Sequence, residues 1–268
     1  MSSSGTRLVM VGGGNMGAAL LGGMLAAGWC ESAEVAVVEV LAGRRDQLVA
    51  QFAGVTITDT VVPADAALIA VKPNDVAGAT TAAVAGGARR VLSIAAGVSI
   101  ASLEAAAAQA TSDPVAVVRA MPNTPALVGE GAAAIAGGTA TGEDDLAWAE
   151  GILGSVGRVV RVPEYQLDAV TGLAGSGPAY LFLVAEALID AGVLAGLARP
   201  VAEALVSQLF VGSSKLLAER GDPAALRAMV TSPGGTTAAG LRQLETGGVR
   251  AAFLEAVMAA TERSRELG

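Results

Sequence analysis

Along the N-terminal half of the chain, short unbroken apolar runs alternate with segments of helical period. Leu8–Val11 reads as a strand, Ala18–Ala27 as a helix, Glu34–Glu39 as a strand, Arg44–Phe52 as a helix and Val55–Ile57 as a short strand. Ala66–Val71 and Arg90–Ala95 are continuous apolar runs of the kind expected for parallel strands buried on both faces. Ser99 opens a helix that runs to about Ala110, and Val115–Val118 forms a further strand. From Glu130 to about Val162 the order is an apolar run, a polar helix start at Thr141–Asp145 and a short strand near Arg158–Val162. This alternation predicts an α/β fold, a Rossmann-type doubly wound parallel sheet. Beyond Glu164 no strand is convincing, and helices are expected over Ala179–Leu194, Pro200–Arg220 and Val249–Leu267, with a shorter one ending near Glu245. A boundary at Pro163 divides the chain into a dinucleotide-binding domain, 1–162, and a smaller all-α domain, 163–268.

The turn after the first strand gives the first domain its purpose. Gly12, Gly14 and Gly17 have G-x-G-x-x-G spacing between a strand and a helix. Gly12 permits the sharp turn, Gly14 lets a pyrophosphate approach the backbone, and Gly17 lets the helix pack close to the strand. The amides at the helix start hold the phosphates. Glu39 closes the second strand, where an acidic side chain can accept hydrogen bonds from the adenosine ribose. That favours NAD, since a carboxylate repels a 2′-phosphate. Arg44 and Arg45 follow closely and can clamp such a phosphate, or they are solvated helix charges. Three further loops, Val71–Pro73, Ala95–Gly97 and Ala120–Pro125, fall on the same sheet edge and suit the walls of a nicotinamide site.

Composition narrows the chemistry. The net charge of −8 argues against nonspecific nucleic-acid binding. Histidine is absent and Cys30 is the only cysteine, so the commonest general base, an internal disulfide and a thiolate metal site are all excluded. No metal is expected, and Cys30 is assigned to packing. The stretch Leu8–Cys30 is uncharged and long enough to span a membrane, but its glycines fall at cofactor spacing, so no membrane role is expected. The lack of an obvious signal peptide fits a cytoplasmic location.

In the second domain, the helix over Ala179–Leu194 is apolar nearly all round, broken only by Glu186 and Asp190. It must be covered on most sides, by a second copy of the chain or by the first domain. Phe253, Leu254, Val257 and Met258 form the apolar stripe of an ordinary amphipathic core helix. The stretch Thr231–Ala238 combines glycines and hydroxyls before a helix, a nest of N–H donors suited to a carboxylate. Alternatively Ser232 or Thr236 is simply a helix cap.

Taken together, Val71-Lys72-Pro73, Arg119–Pro125 (RAMPNTP), Asp168–Gly172 (DAVTG), Gly175–Tyr180 (GSGPAY) and Ser232–Thr237 (SPGGTT) resemble the pyrroline-5-carboxylate reductases over essentially the whole chain. The sequence departs from the family at Ala174, often serine there, and at Val40–Gly43, which lacks polar residues that often help grip a 2′-phosphate. The resemblance implies reduction of the cyclic imine 1-pyrroline-5-carboxylate to L-proline by NADPH, with NADH as the alternative cofactor. It implies homodimers joined through the C-terminal helices, assembled further into rings such as decamers, with the substrate site at the subunit interface.

By resemblance, Thr237 is the catalytic residue, its hydroxyl contacting the ring nitrogen and passing a proton through water. Ser232, Gly234, Gly235 and Thr236 would surround the substrate carboxylate, and Glu164 would contact cofactor or substrate. The cofactor would be held by Val11, Gly12, Gly14, Asn15, Met16, Gly17, Glu39 and Arg44. Ala70, Val71, Lys72, Pro73, Ala95, Ala96, Gly97 and Asn123 would border it further along. Imine reduction needs little from side chains, because the cofactor carries the hydride. Two other readings compete. A 3-hydroxyacid dehydrogenase would need a lysine in the helical domain, where only Lys215 is found, in a plain helical stretch. A noncatalytic redox sensor leaves the anion nest unexplained.

Overall fold

The computed structural model describes residues 5–267. It contains one eight-stranded sheet, β1 Leu8–Val11, β2 Val35–Val38, β3 Thr56–Thr58, β4 Ala66–Ile69, β5 Arg90–Ser93, β6 Ala116–Met121, β7 Gly131–Gly137 and β8 Gly157–Arg161. The order is β3-β2-β1-β4-β5-β6-β7-β8. Helices α1 Asn15–Ala26, α2 Ala42–Gln51, α3 Val76–Ala85, α4 Ile100–Ala108 and α5 Glu143–Gly154 connect the strands. The first six strands run parallel. β7 departs from the expected all-parallel sheet and runs antiparallel to β6, and β8 follows β7 in parallel. The cause is the connection: a single 3₁₀ turn, Thr124–Val128, joins β6 to β7, too short for a parallel crossover.

The alternation within β1 shows how the sheet is covered. Leu8 and Met10 enter one apolar cluster with Leu20, Leu21 and Met24 of α1. Val9 and Val11 enter the other with Val76, Val84 and Leu103. Burial on both faces accounts for the unbroken apolar runs. It also removes the membrane reading of Leu8–Cys30, because β1 is buried throughout and Cys30 lies in the first cluster. Burial raises the Cys30 thiol above its ordinary pKa, with nearby Glu34 adding to the shift.

The chain separates into two compact units. One extends to Ser176 and takes back the chain from Ala259, and the other is Gly177–Met258. In the first unit the stretch beyond Val162 stays with the sheet. Leu167 of the short helix α6 (Leu167–Val170) is fully buried, a π-helical turn follows over Thr171–Gly175, and the Ser264 hydroxyl donates to the Asp168 carboxylate at 2.7 Å.

The second unit contains α7 Gly177–Leu194, α8 Arg199–Arg220, α9 Pro223–Met229 and α10 Thr236–Thr246. Helix α11, Val249–Leu267, begins there. α9 has no counterpart in the sequence-based expectation. Asp222 caps it by accepting from the amides of Ala224 and Ala225, and Pro223 occupies its first position. α7 buries none of its residues. Of the expected core stripe of α11, Phe253, Leu254 and Met258 are exposed at 40%, 70% and 53%, and Val257 is half-buried. The spans 164–194 and 199–220 are long and apolar enough to cross a membrane by length and composition alone.

Candidate dinucleotide edge and anion loop

Strand order reverses between β1 and β4, and the β1–α1 turn lies at that point, where open α/β sheets bind ligands. The three fingerprint glycines are small for three different reasons. Gly12 has φ +108°, and a Cβ there would sit 2.5 Å from the Ala70 carbonyl oxygen. A Cβ on Gly17 would collide with the Gly12 carbonyl oxygen. At Gly14 a Cβ would meet nothing within 4 Å, so no contact within the protein demands glycine. Gly14 is also the N-cap of α1, supplies no side chain, and no acidic residue occupies the first turn. Exposed Asn15 and half-buried Met16 complete a helix start whose unpaired amides fit a pyrophosphate.

Glu39 is largely buried and faces this turn. One carboxylate oxygen accepts from the Gly13 amide at 3.1 Å and the other from the Leu41 amide at 2.9 Å. Arg44 grips the next peptide group of the turn, its Nε donating to the Gly13 carbonyl at 2.7 Å. Arg45 donates to the carbonyls of Glu39 and Val40 at 2.8 and 2.9 Å. The arginines are therefore built into the edge of the turn and are more than solvated helix charges.

The remaining edge residues occupy consecutive loops. Val11 is buried, Ala70 and Val71 are half-buried, and Lys72 and Pro73 are exposed. Ala95 is buried and Ala96 exposed. Gly97 has φ +73°, and a Cβ there would lie 3.1 Å from the Leu267 carbonyl oxygen. Asn123 is placed differently from a free wall residue. Its Oδ1 accepts from the Ala132 amide at 2.8 Å and its Nδ2 donates to the Ala174 carbonyl at 3.0 Å. Its side chain is thus occupied in joining β7 to the π-helical turn.

Glu164 is similarly engaged. One oxygen accepts from the Ile100 amide at 2.7 Å and from Arg119 at 3.0 Å. Ser99, Arg119, Glu164, Tyr165, Asp168 and Arg265 line a cavity of about 340 Å³ in the first unit. Arg119 was not assigned a role from the sequence, although a signal was present. It is the one charge in the apolar strand β6, and a charge so placed requires a partner.

In the second unit, the loop before α10 presents a helix start without a side-chain cap. Gly235 is the N-cap, and no side chain accepts from its first turn, so Ser232 and Thr236 do not cap the helix. Gly234 adopts φ +70°, and a Cβ on Gly235 would lie 2.5 Å from the Ser232 Oγ, so a side chain there would displace that hydroxyl. The first intrahelical bond runs from the Ala239 amide to the Gly235 carbonyl. The amides of Thr236, Thr237 and Ala238 therefore lie ahead of the helical ladder, in a stretch that also carries the hydroxyl residues Ser232, Thr236 and Thr237. No group of histidine, cysteine, aspartate and glutamate capable of holding a metal occurs among the described residues.

Comparison with known proteins agrees with this geometry. Residues 7–97 match a family described as NADP oxidoreductase, coenzyme F420-dependent. Residues 164–267 match a family described as pyrroline-5-carboxylate reductase dimerisation, which begins close to the boundary read at Pro163, whereas compactness divides the chain after Ser176. A pyrroline-5-carboxylate reductase from Synechocystis is 45% identical, over 98% of both chains. A solved pyrroline-5-carboxylate reductase from Coxiella burnetii superimposes with a TM-score of 0.89 at 33% identity, covering 98% of both chains. The Plasmodium falciparum enzyme, solved with NADP bound, gives 0.81 at 29% identity, again covering 98% of both. With a fingerprint turn at the switch point, an uncapped glycine-hydroxyl loop before α10 and full-length similarity of this degree, the chain belongs to the pyrroline-5-carboxylate reductase family.

Proposed function

We propose that this protein reduces 1-pyrroline-5-carboxylate to L-proline with NADPH, NADH being the weaker alternative. The observation that carries this reading is the pairing of two anion-receptive helix starts in one family member. One is α1 behind Gly14, where no protein contact demands glycine, and the other is α10 behind Gly234 and Gly235. When bound, the nicotinamide cofactor supplies the hydride. The chain's own residues bind, orient and protonate.

Gly12, Gly14 and Gly17 shape the pyrophosphate site, and Arg44 and Arg45 bring positive charge to the adenosine end. The loops at Ala70–Pro73 and Ala95–Gly97 and the turn at Asn123 border the nicotinamide. Ser232, Gly234, Gly235 and Thr236 offer hydroxyls and amides to the substrate carboxylate, and the α10 dipole favours an anion there. Thr237 directs its hydroxyl to the ring nitrogen, which gains a proton as the adjacent carbon gains hydride. The hydride-bearing carbon of a bound cofactor and the imine carbon would have to come within about 3–3.5 Å for that transfer. Glu164 acts from its bonds to Arg119 and Ile100 to hold the start of α4 beside the site.

The exposed apolar residues of α7 and α8 support a homodimer through the C-terminal helices. The family resemblance adds a larger ring such as a decamer and a cytoplasmic location to the proposal. Nicotinamide absorbance, followed with purified protein and the imine, tests the activity. Imine-dependent NADPH oxidation with proline formed in equal amount is expected. Cofactor binding without such oxidation would reject the reductase reading.

A further inference from the structure

The acidic residue that closes β2 is usually expected to read the ribose of a dinucleotide. Glu39 already has another task in this structure. Its Oε2 accepts from the Gly13 amide and its Oε1 from the Leu41 amide, and the residue is only 9% exposed. Gly13 lies within the fingerprint but outside its three required glycines, yet it too has no room for a side chain. A Cβ there would collide with Leu48 Cδ1 and would lie 3.4 Å from the Glu39 Cβ. Residue Gly13 is held through both of its backbone polar groups, its N–H by Glu39 and its C=O by Arg44, so the two successive peptide groups that flank it are both fixed. The second βα unit therefore fixes the phosphate turn of the first.

Two consequences follow for charge. The carboxylate keeps its charge, but the Gly13 and Leu41 amide dipoles point at it and weaken its field toward a 2′-phosphate. Arg44, by contrast, has no ion-pair partner among the described residues, and the nearest carboxylate oxygen to Arg45 is that of exposed Asp59, at 4.0 Å. Positive charge at this edge is thus available to an anion.

We propose that Glu39 is a positioning residue that fixes the pyrophosphate turn through Gly13 and Leu41, and that Arg44 and Arg45 choose between the two nicotinamide dinucleotides. This rests on the dinucleotide-binding part of the proposed function and is independent of the imine. The position that elsewhere selects NAD would here serve both cofactors equally.

The test is direct binding of NADPH and NADH to Glu39→Gln and Arg45→Ala, followed by nicotinamide fluorescence without substrate. For Glu39→Gln, both dissociation constants should rise by the same factor, about three- to tenfold, as a charge-assisted acceptor is lost. Amide exchange at Gly13 and Leu41 should accelerate in the cofactor-free variant. With imine present, the KM for cofactor should rise while kcat stays unchanged, which a general loss of folded protein would not produce. For Arg45→Ala, NADPH should weaken at least fivefold more than NADH.

The proposal fails if Glu39→Gln weakens NADH alone, tightens NADPH, or changes neither. It also fails if Arg45→Ala weakens both equally. Normal binding with no imine reduction would reject the reductase activity and leave this assignment standing, so the two failures are distinguishable.

Discussion

Helices α1 and α7 are both apolar nearly all round, yet the chain treats them differently. α1 buries Gly17, Ala18, Leu20, Leu21 and Met24 against the sheet, α5 and the turn at Thr124–Val128. α7 buries nothing and exposes Leu181, Phe182 and Leu183 at 53%, 65% and 65%. An apolar surface gains about 25 cal/mol for each Å² removed from water, wherever the cover comes from. For α1 the cover lies in the same chain. α7 is a long, mostly exposed apolar helix in a family region described as dimerisation. Composition therefore reports that a surface must be covered, without reporting by what.

The comparison is broken most forcefully at α1. Leu20 is fully buried, and Leu20→Asp places a carboxylate in the core with no partner. The expected cost is about 4 kcal/mol or more, set against a total stability of roughly 5–15 kcal/mol. The melting transition should fall sharply or disappear. Leu181→Asp makes the same chemical change on α7, and its consequence should differ in kind. The single chain should fold with its circular dichroism intact. Association should weaken by about 3–6 kcal/mol, the burial of one leucine counted twice across a symmetric interface. Sedimentation should show subunits separating at micromolar concentration. Unfolding of Leu181→Asp would mean that α7 is covered within one chain, and the distinction would collapse.

A smaller effect is expected at Thr237, beside the uncapped start of α10. Thr237→Ala removes a hydroxyl and leaves the backbone amides in place. Turnover should fall about a hundredfold, the low end for a positioned proton donor. Cofactor affinity and melting temperature should not change. Full turnover in steady-state kinetics would remove this hydroxyl from the mechanism.

These contrasts also show what could be read from the chain. Buried parallel strands declare themselves as unbroken apolar runs, because both faces are covered, and the fingerprint declares itself because backbone geometry demands glycine at Gly12 and Gly17. Strand direction is carried by no periodicity, so the antiparallel turn into β7 was not legible. The capped turn of α9 is short and lies among exposed residues, and gives little periodic signal. Side-chain use was the least legible of all. Glu39 was expected to face a ligand from its spacing, and Asn123 from the family resemblance and its loop at the sheet edge. Their bonds to Gly13, Leu41, Ala132 and Ala174 depend on neighbours brought together only by the fold.

The smallest effect concerns Cys30, on the well-covered side of the comparison. Burial raises its thiol pKa, so the folded chain keeps this proton at a pH where the unfolded chain has lost it. In that window the native state binds more protons than the unfolded state, and stability must fall as pH rises. The contribution is complete below the ordinary thiol pKa and is lost as pH climbs through the raised value. Cys30→Ala should flatten the alkaline limb of the stability curve and leave neutral stability within about 1 kcal/mol, since the cluster loses only a small group. Denaturant melts from pH 7 to 10 would reveal the difference. The same covering predicts that a thiol reagent reacts with Cys30 at the rate of opening of the first unit. Rapid modification of the native protein would show that the cluster beneath α1 is less closed than its burial indicates.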